Sequence, residues 1–488
     1  MQQGPVPTQL CCGTINLGGA RLTRIRNGMK FKKFGKALVL GTLSVGVILC
    51  ITSCVQSYTV GFLYVTGTET ASSSGTSGII SGYKIDHNTG KLSAIHGLPV
   101  SSGGANPVRA VLISGSRFLY VLNRGTTASG GSNCTTQDPC ENANITVFAV
   151  GGNGILTPQE TFYPNGLNPF RLLADSSGAH LFVLDHDSAY NGLPSSSSSP
   201  NPNCALALGS GITTCGAIEV YSINGTTGRL SLVTNAQVTA STGSALAYFP
   251  VPSNPVDMVI SSSYVLTLAA SDATASTSFP YTGGSLVFPY AVTSTTGQLK
   301  STGIASPWDA LGIAAGTAID VAGSAVYILD NEPITVNSVT SPSQILPYTV
   351  GSSGSLASQT GGAVAEDPSV SNPIVLLQEN KGKWIYVANQ GNNTSTSNAQ
   401  SGIDAFTLYS SPFQLSPLAG APFGSGAGPV CMVEDPSYQY IYTANYNDST
   451  ITGRSISRND GELVDLRTTS TFSLSGPPSW CLVDGRTD

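Results

Sequence analysis

The 488-residue chain is poor in charge, with Asp, Glu, Lys and Arg at 10% of residues, and it holds only 4 Met, 4 His and 3 Trp. So little Glu, Lys and Arg excludes a coiled coil and disfavours a mainly helical protein, whose outer faces need those side chains. Scarce histidine leaves little material for imidazole or metal chemistry. There is no HExxH, no GxSxG elbow and no phosphate-binding glycine-rich loop. What is abundant is turn material, 55 Gly and 29 Pro with Ser, Thr and Asn runs between short apolar stretches, which reads as an all-β chain.

One long apolar run exists, from Ala37 to Ile51, after the basic stretch Lys30, Lys32, Lys33 and Lys36 and before Thr52-Ser53-Cys54. A basic start, an apolar centre and small residues at a cleavage point are the pattern of an export signal. The segment resembles a bacterial lipoprotein signal, which implies cleavage before Cys54 and lipidation of that cysteine. An uncleaved anchor is the alternative, although a span needs about 20 apolar residues. Residues 1–28 carry no periodicity and read as an extension before a start at Met29. The expected division is therefore a signal over 29–53, a lipidated tether over 54–57, one folded domain over 58–484 and a tail over 485–488. The address that follows is the bacterial cell envelope, lipid-anchored, on the periplasmic or outer surface.

Seven of the 21 Lys and Arg and no acidic residue precede the cleavage point, so the remaining chain has 14 basic against 27 acidic residues, a net of −13. Such a surface disfavours nucleic acid and anionic headgroups as partners. Cys134 with Cys140 and Cys204 with Cys215 are close pairs in polar segments, which suits local disulfides in an oxidising compartment. A cysteine metal site is the alternative, but neither pair is a CxxC and no His lies within either spacing, so no metal is expected. Cys431 and Cys481 fall on neighbouring strands one residue out of step, and read as buried thiols.

A repeat organises the rest. An apolar strand, a polar turn and an aromatic-rich strand ending in Asn or Asp recur as 106–123, 168–185, 372–389 and 428–445, with Pro107 to Tyr120, Pro169 to Phe182, Pro373 to Tyr386 and Pro429 to Tyr442 equally spaced. Degenerate copies start at Asn254 and near Ala314, the latter taking the proline position if Tyr327 is aligned. Each copy is followed by a third strand and a hairpin, with Gly90, Gly154, Gly228, Gly297, Gly354 and Gly461 at the hairpin position that favours left-handed backbone. Six units are complete, while the seventh is split between 58–105 and 477–484. The expected fold is a seven-bladed β-propeller of four-stranded antiparallel blades, with the ring closed by N- and C-terminal strands sharing blade 1.

The phrases YVTG (64–67), YVLN (120–123), YVAN (386–389) and YTAN (442–445) resemble those of the lactonase-like, YVTN-type seven-bladed propellers. That resemblance implies the fold over nearly all of 58–484, and function far less narrowly, since such propellers host lactone hydrolysis, ring closure and plain binding. Family members that open lactones place His or Arg right after the first-strand proline and Glu beyond the aromatic strand, groups that polarise a ring carbonyl and move a proton. Here the first position holds Val108, Phe170, Val256, Ala315, Ile374, Val430 and Ser479. The second holds Arg124, His186, Asn331, Gln390 and Tyr446, with Glu332 one step further. No catalytic residue is assigned on that basis.

One residue on from the first set, Arg109, Arg171 and Asp257 make a charged sector at the channel that could hold an anionic or sugar-like ligand, or pair internally. Long insertions at 124–144, 186–217, 331–344 and 390–402 share one face, where His186 also falls. Asn123, Asp185, Asp330, Asn389 and Asn445 form a ring of polar strand ends that could bind a ligand or close turns. The function expected is binding, by an exported module that takes a small molecule, glycan or protein on the long-loop face without a cofactor. Alternatives are a lactone hydrolase of the 6-phosphogluconolactonase-like family with a rearranged site of Arg109, Arg171 and His186, and a structural envelope protein.

Overall fold

The computed structural model describes residues 58–70, 76–113, 117–196, 198–235, 237–240, 243–270, 284–302, 312–359, 361–391, 401–409 and 414–485. The signal, residues 1–28, the lipidation cysteine Cys54 and most of the tail lie outside them.

Seven antiparallel sheets, each built on four strands, form the blades of a propeller. Blade 2 runs outward from the channel as Pro107–Leu112, Phe118–Asn123, Asn144–Val150 and Leu156–Phe162. Blade 1 takes its inner strand, Pro478–Asp484, from the C-terminus and its next three, Thr59–Thr68, Ser77–Asp86 and Leu92–Ala94, from the N-terminus. The remaining inner strands are Pro169–Ala174, Pro255–Ser261, Gly316–Ala322, Pro373–Gln378 and Pro429–Glu434, and each touches the next until the last meets blade 1. Closure removes the open sheet edges that a row of separate blades would expose.

The second strands are the most apolar because blades pack on both their faces. Every residue of His180–Asp185, Ala325–Asp330, Trp384–Asn389 and Tyr440–Asn445 is buried. The repeated tyrosine earns its place between blades. Tyr64, Tyr120, Tyr386 and Tyr442 donate their hydroxyls to the carbonyls of Gly154, Gly228, Gly461 and Gly90 in the following blade, at 2.7 to 2.8 Å. The same glycines lie against the ring two residues earlier: a Cβ on Gly154, Gly228 or Gly461 would come within 2.6 Å of Phe62, Phe118 or Trp384. Positive φ and close approach thus both demand glycine there.

All seven inner strands bulge directly after their first residue. Asn106, Asn254 and Asn372 enter it in left-handed backbone, φ 50, 54 and 58, which Asn tolerates best among residues with a Cβ. The bulge corrects the reading of blade 5. Gly316 pairs with Asp330 as Pro107 pairs with Asn123, so Gly316 holds the proline position in place of Ala314, and the following turn is two residues shorter. The residue after it is Thr317, and the next is Ala318.

A second correction concerns Cys431 and Cys481. They form a disulfide with Cα atoms 5.8 Å apart, joining the inner strands of blades 7 and 1. One step of sequence offset is absorbed because the channel brings neighbouring inner strands together at their bulged ends. Cys134–Cys140 and Cys204–Cys215 are also bonded, with Cα separations of 5.2 and 5.7 Å.

Candidate functional site

Connections from second to third strands and from fourth to first strands emerge on one face, and the long insertions at 124–143, 186–215 and 331–343 lie there, while most of the one expected at 390–402 lies outside the described residues. Inner-strand residues two past the proline position point into the channel just below this face. In blades 2 to 4 they are Arg109, Arg171 and Asp257, as expected, and they meet. Arg171 Nε donates to Asp257 Oδ1 at 2.8 Å, and Arg109 Nη2 stands 3.9 Å from the same oxygen. The Arg109 guanidinium lies 3.4 Å from the centre of the Trp480 ring, a cation–π stack across the ring closure. Asp257 also accepts the Met258 and Ile319 backbone N–H groups.

The sequence reading missed Asp320. It faces the channel two residues past Ala318, where strand alternation puts it, and the sequence reading stopped at one position per inner strand. Its carboxylate accepts the Leu376 N–H at 2.8 Å. Burial, with Asp257 nearby, pushes its carboxyl up to about 7, against the pull of Arg109 and Arg171. Burial likewise brings Arg109 down to about 9, helped by the Arg171 charge. One N–H nitrogen of Arg109, Nη1, is buried without a partner among the described residues.

Above this network sits His186. Its ring is 5.2 Å from that of Phe170, whose other neighbour is the Arg171 guanidinium at 5.1 Å, so a column of imidazole, phenyl and guanidinium stands at the mouth. Burial lowers the His186 pKa, Asp187 opposes the shift, and Arg124 and Arg171 add to it, so the imidazole is neutral at pH 7. Arg124, directly after the second strand of blade 2, bonds Asn168 Oδ1 and the Cys134 carbonyl, so the Cys134–Cys140 loop helps to hold it. Asp187 accepts from Thr136 and Asn168. The Cys204–Cys215 pair packs on Ser188, which bonds Asn201, and so pins the 186–217 insertion beside the site.

The ring of strand ends behaves differently. Asn123, Asp185, Asp330, Asn389 and Asn445 are 0 to 1% exposed. They spend their bonds on nearby strands and turns, Asn123 on Asn144 and on Ser102 of the neighbouring blade 1 sheet, Asp185 on the Asn168 and Asp187 N–H groups, and Asp330 on those of Ala314 and Ala315. Asn389 donates to Glu366 and Asn445 to Thr450 and Thr452. Burial raises Asp185 well above the usual carboxylate range, with Glu219 and Asp187 adding to it. Glu332 is exposed on its loop. Among the described residues no group of three or more His, Cys, Asp or Glu is placed to hold a metal ion.

Residues 334–479 match the family model described as lactonase, 7-bladed beta-propeller. No curated protein matches the sequence. Among solved structures, the chain is similar to candidate 6-phosphogluconolactonases from Bacteroides fragilis and Bacteroides uniformis. The first is 13% identical with a TM-score of 0.55, over 87% of this chain and 98% of that one. The second is 13% identical with a TM-score of 0.57, over 87% and 100%. A protein from Lactobacillus plantarum is 14% identical with a TM-score of 0.53, over 88% and 100%. At these identities the structures speak for the fold. By that fold the chain is a seven-bladed β-propeller, and over residues 334–479 it is similar to the lactonase family of such propellers.

Proposed function

We propose that the protein is an exported, lipid-anchored propeller that binds a small anionic ligand at the long-loop mouth of its channel, in the sector of blades 2 to 4. The observation that carries this is the arginine pair. The Arg171 side chain is 26% exposed, with its Nε on Asp257 and its Nη1 on the Phe170 carbonyl at 3.4 Å, and the Arg109 beneath it keeps a buried N–H without a partner among the described residues. Guanidinium groups held in place by an acid and a ring are prepared donors for a carboxylate. Phe170, between His186 and the Arg171 guanidinium, supplies an apolar wall of the kind ligand sites use to shed water.

A thermal-shift screen of the purified protein against sugars, sugar acids, lactones and divalent cations tests the reading, because ligand at 100 times its dissociation constant adds about 2.7 kcal/mol. Sugar acids are expected to stabilise wild type and not Arg171→Ala. No shift from any member would refute a small-molecule site and favour a macromolecular partner on the loops. Anchoring through Cys54 rests on the signal-like segment, and disulfides suit the oxidising side of a membrane. Cys54→Ser should release the protein from the membrane fraction.

Lactone hydrolysis at the same mouth is the second reading. His186 is neutral and lies within reach of the field of two arginines, so it could take a proton from water while Arg171 faces a ring carbonyl. The family match supports it, although 334–479 covers blades 5 to 7 and not the blades that carry Arg171 and His186. Turnover of a lactone panel that His186→Ala abolishes would favour this reading over binding alone.

A further inference from the structure

On the opposite face, where the turns between first and second strands emerge, blades 6 and 7 enclose a cavity of about 320 Å³. Its wall includes Lys381, Lys383 and Trp384 from blade 6 and Ser437, Tyr438 and Arg458 from blade 7. Each strand turn is organised by an inward carboxylate. Glu379 accepts the Lys381 and Lys383 N–H groups, both at 2.7 Å, and Asp435 accepts those of Ser437, Gln439 and Tyr440. Glu379 itself lines the cavity, and Glu434, which accepts the Asn380 N–H at 3.0 Å, stands near the Lys381 charge, so three cations meet two carboxylates there.

Three cations gather here in a chain that has only 14 Lys and Arg after residue 53. Five ion pairs form among the described residues, and none includes Lys381, Lys383 or Arg458. They are held instead by rings and an amide. Lys381 Nζ is 5.6 Å from the Tyr438 ring, Lys383 Nζ is 5.5 Å from that of Trp384, and Arg458 donates to Gln439 Oε1 at 3.0 Å.

Tyr438 supplies an independent sign. It sits at φ 59, in left-handed backbone, at the turn position that Gly178 fills in blade 3 and Gly382 in blade 6, at φ 68 and 70. Tyr438 as a residue is 40% exposed, so no core packing offsets the strain. A strained aromatic residue on the rim of a basic cavity is accounted for if something lies on its ring.

We propose that this pocket binds a cyclic organic anion of monosaccharide size, with the acid group among Lys381, Lys383 and Arg458 and the ring laid on Tyr438. The cavity is at the small end of ligand pockets, which run from about 300 to 1,000 Å³. This site is separate from the channel mouth and stands whether or not that mouth binds a ligand.

Titration calorimetry of the full protein with glucuronate and glucose 6-phosphate tests it, with glucose as the ring without the acid and inorganic phosphate as the acid without the ring. At least one of the two anionic sugars should bind saturably, and neither control should approach it. Lys381→Ala/Lys383→Ala should weaken binding by about tenfold or more, as loss of charge-assisted hydrogen bonds does. Tyr438→Gly should weaken it as much while leaving the melting temperature unchanged or raised, because glycine suits that backbone. His186→Ala should leave it intact, which separates this pocket from the channel mouth. Binding that survives Tyr438→Gly, phosphate binding as tightly as the sugars, or no saturable binding at millimolar concentration would each overturn the proposal.

Discussion

The disulfide between Cys431 and Cys481 makes the sharpest prediction, because it spans the seam where the ring closes. Blade 1 is held by the pairing of Thr59–Thr68 with Pro478–Asp484, so the C-terminal strand must stay docked for the propeller to remain closed. The bond ties that strand to the inner strand of blade 7 across a sequence separation of 50. In the chain-entropy account, closing a loop of that length in the unfolded state is worth about 4 kcal/mol at 25 °C. A chain of some 430 folded residues has an unfolding entropy near 0.9 kcal/mol/K at about 2.1 cal/mol/K per residue, so the shift is about 4 to 5 °C if the ring melts as one unit. The assay is thermal unfolding of Cys431→Ala/Cys481→Ala beside Cys134→Ala/Cys140→Ala, whose separation of 6 closes a surface loop only. The first variant should melt several degrees lower and lose protection of residues 478–484 in hydrogen exchange; the second should leave that strand protected. Equal melting temperatures for the seam variant and wild type, or alkylation of Cys431 and Cys481 in unreduced, denatured protein, would refute the reasoning.

Stability should fall as pH rises from about 4 to 8, because burial pushes Glu366 up to about 8, Asp320 and Glu434 to about 7 and Asp404 to about 6. The folded protein keeps protons there that the unfolded chain, with carboxyls near pH 4, has released, so unfolding gains as pH rises through that window. Glu366→Gln, which preserves contacts with Ser343 and Asn389, should flatten the decline in melting temperature between pH 5 and 8. Tyr386→Phe leaves the buried Gly461 carbonyl without its donor and should cost about 1–3 kcal/mol in denaturant unfolding. Gly461→Ala should cost more than Gly225→Ala, since Gly461 has φ 80 and its added Cβ would lie 2.6 Å from the Trp384 ring, whereas Gly225 has nothing within 4 Å.

The blade count, the split blade and the two loop disulfides are legible in the chain because each is a local or periodic signal. A strand of alternating or doubly buried residues, a hairpin glycine and a short Cys spacing are written within about a dozen residues. Blade 5 shows where that reading slips. Its turn is two residues shorter, so aligning on Tyr327 moved the proline position to Ala314, and only the pairing of Gly316 with Asp330 corrects it.

The candidate sites depended more on distance in space. That Arg109, Arg171 and Asp257 share a channel position follows from the repeat, but their pairing, the Trp480 stack and the presence of Asp320 require seven inner strands to converge. Cys431 and Cys481 looked out of step along the chain and are adjacent across it. The pocket between blades 6 and 7 left no motif at all, because its residues come from three turns whose closeness is set by blade packing. Sequence alone determined the repeat, its closure and its local staples, since those are encoded by period and turn chemistry. Tertiary structure decided which charges meet and which stay free, because the partners of a side chain in a ring are set by neighbouring blades, about sixty residues away.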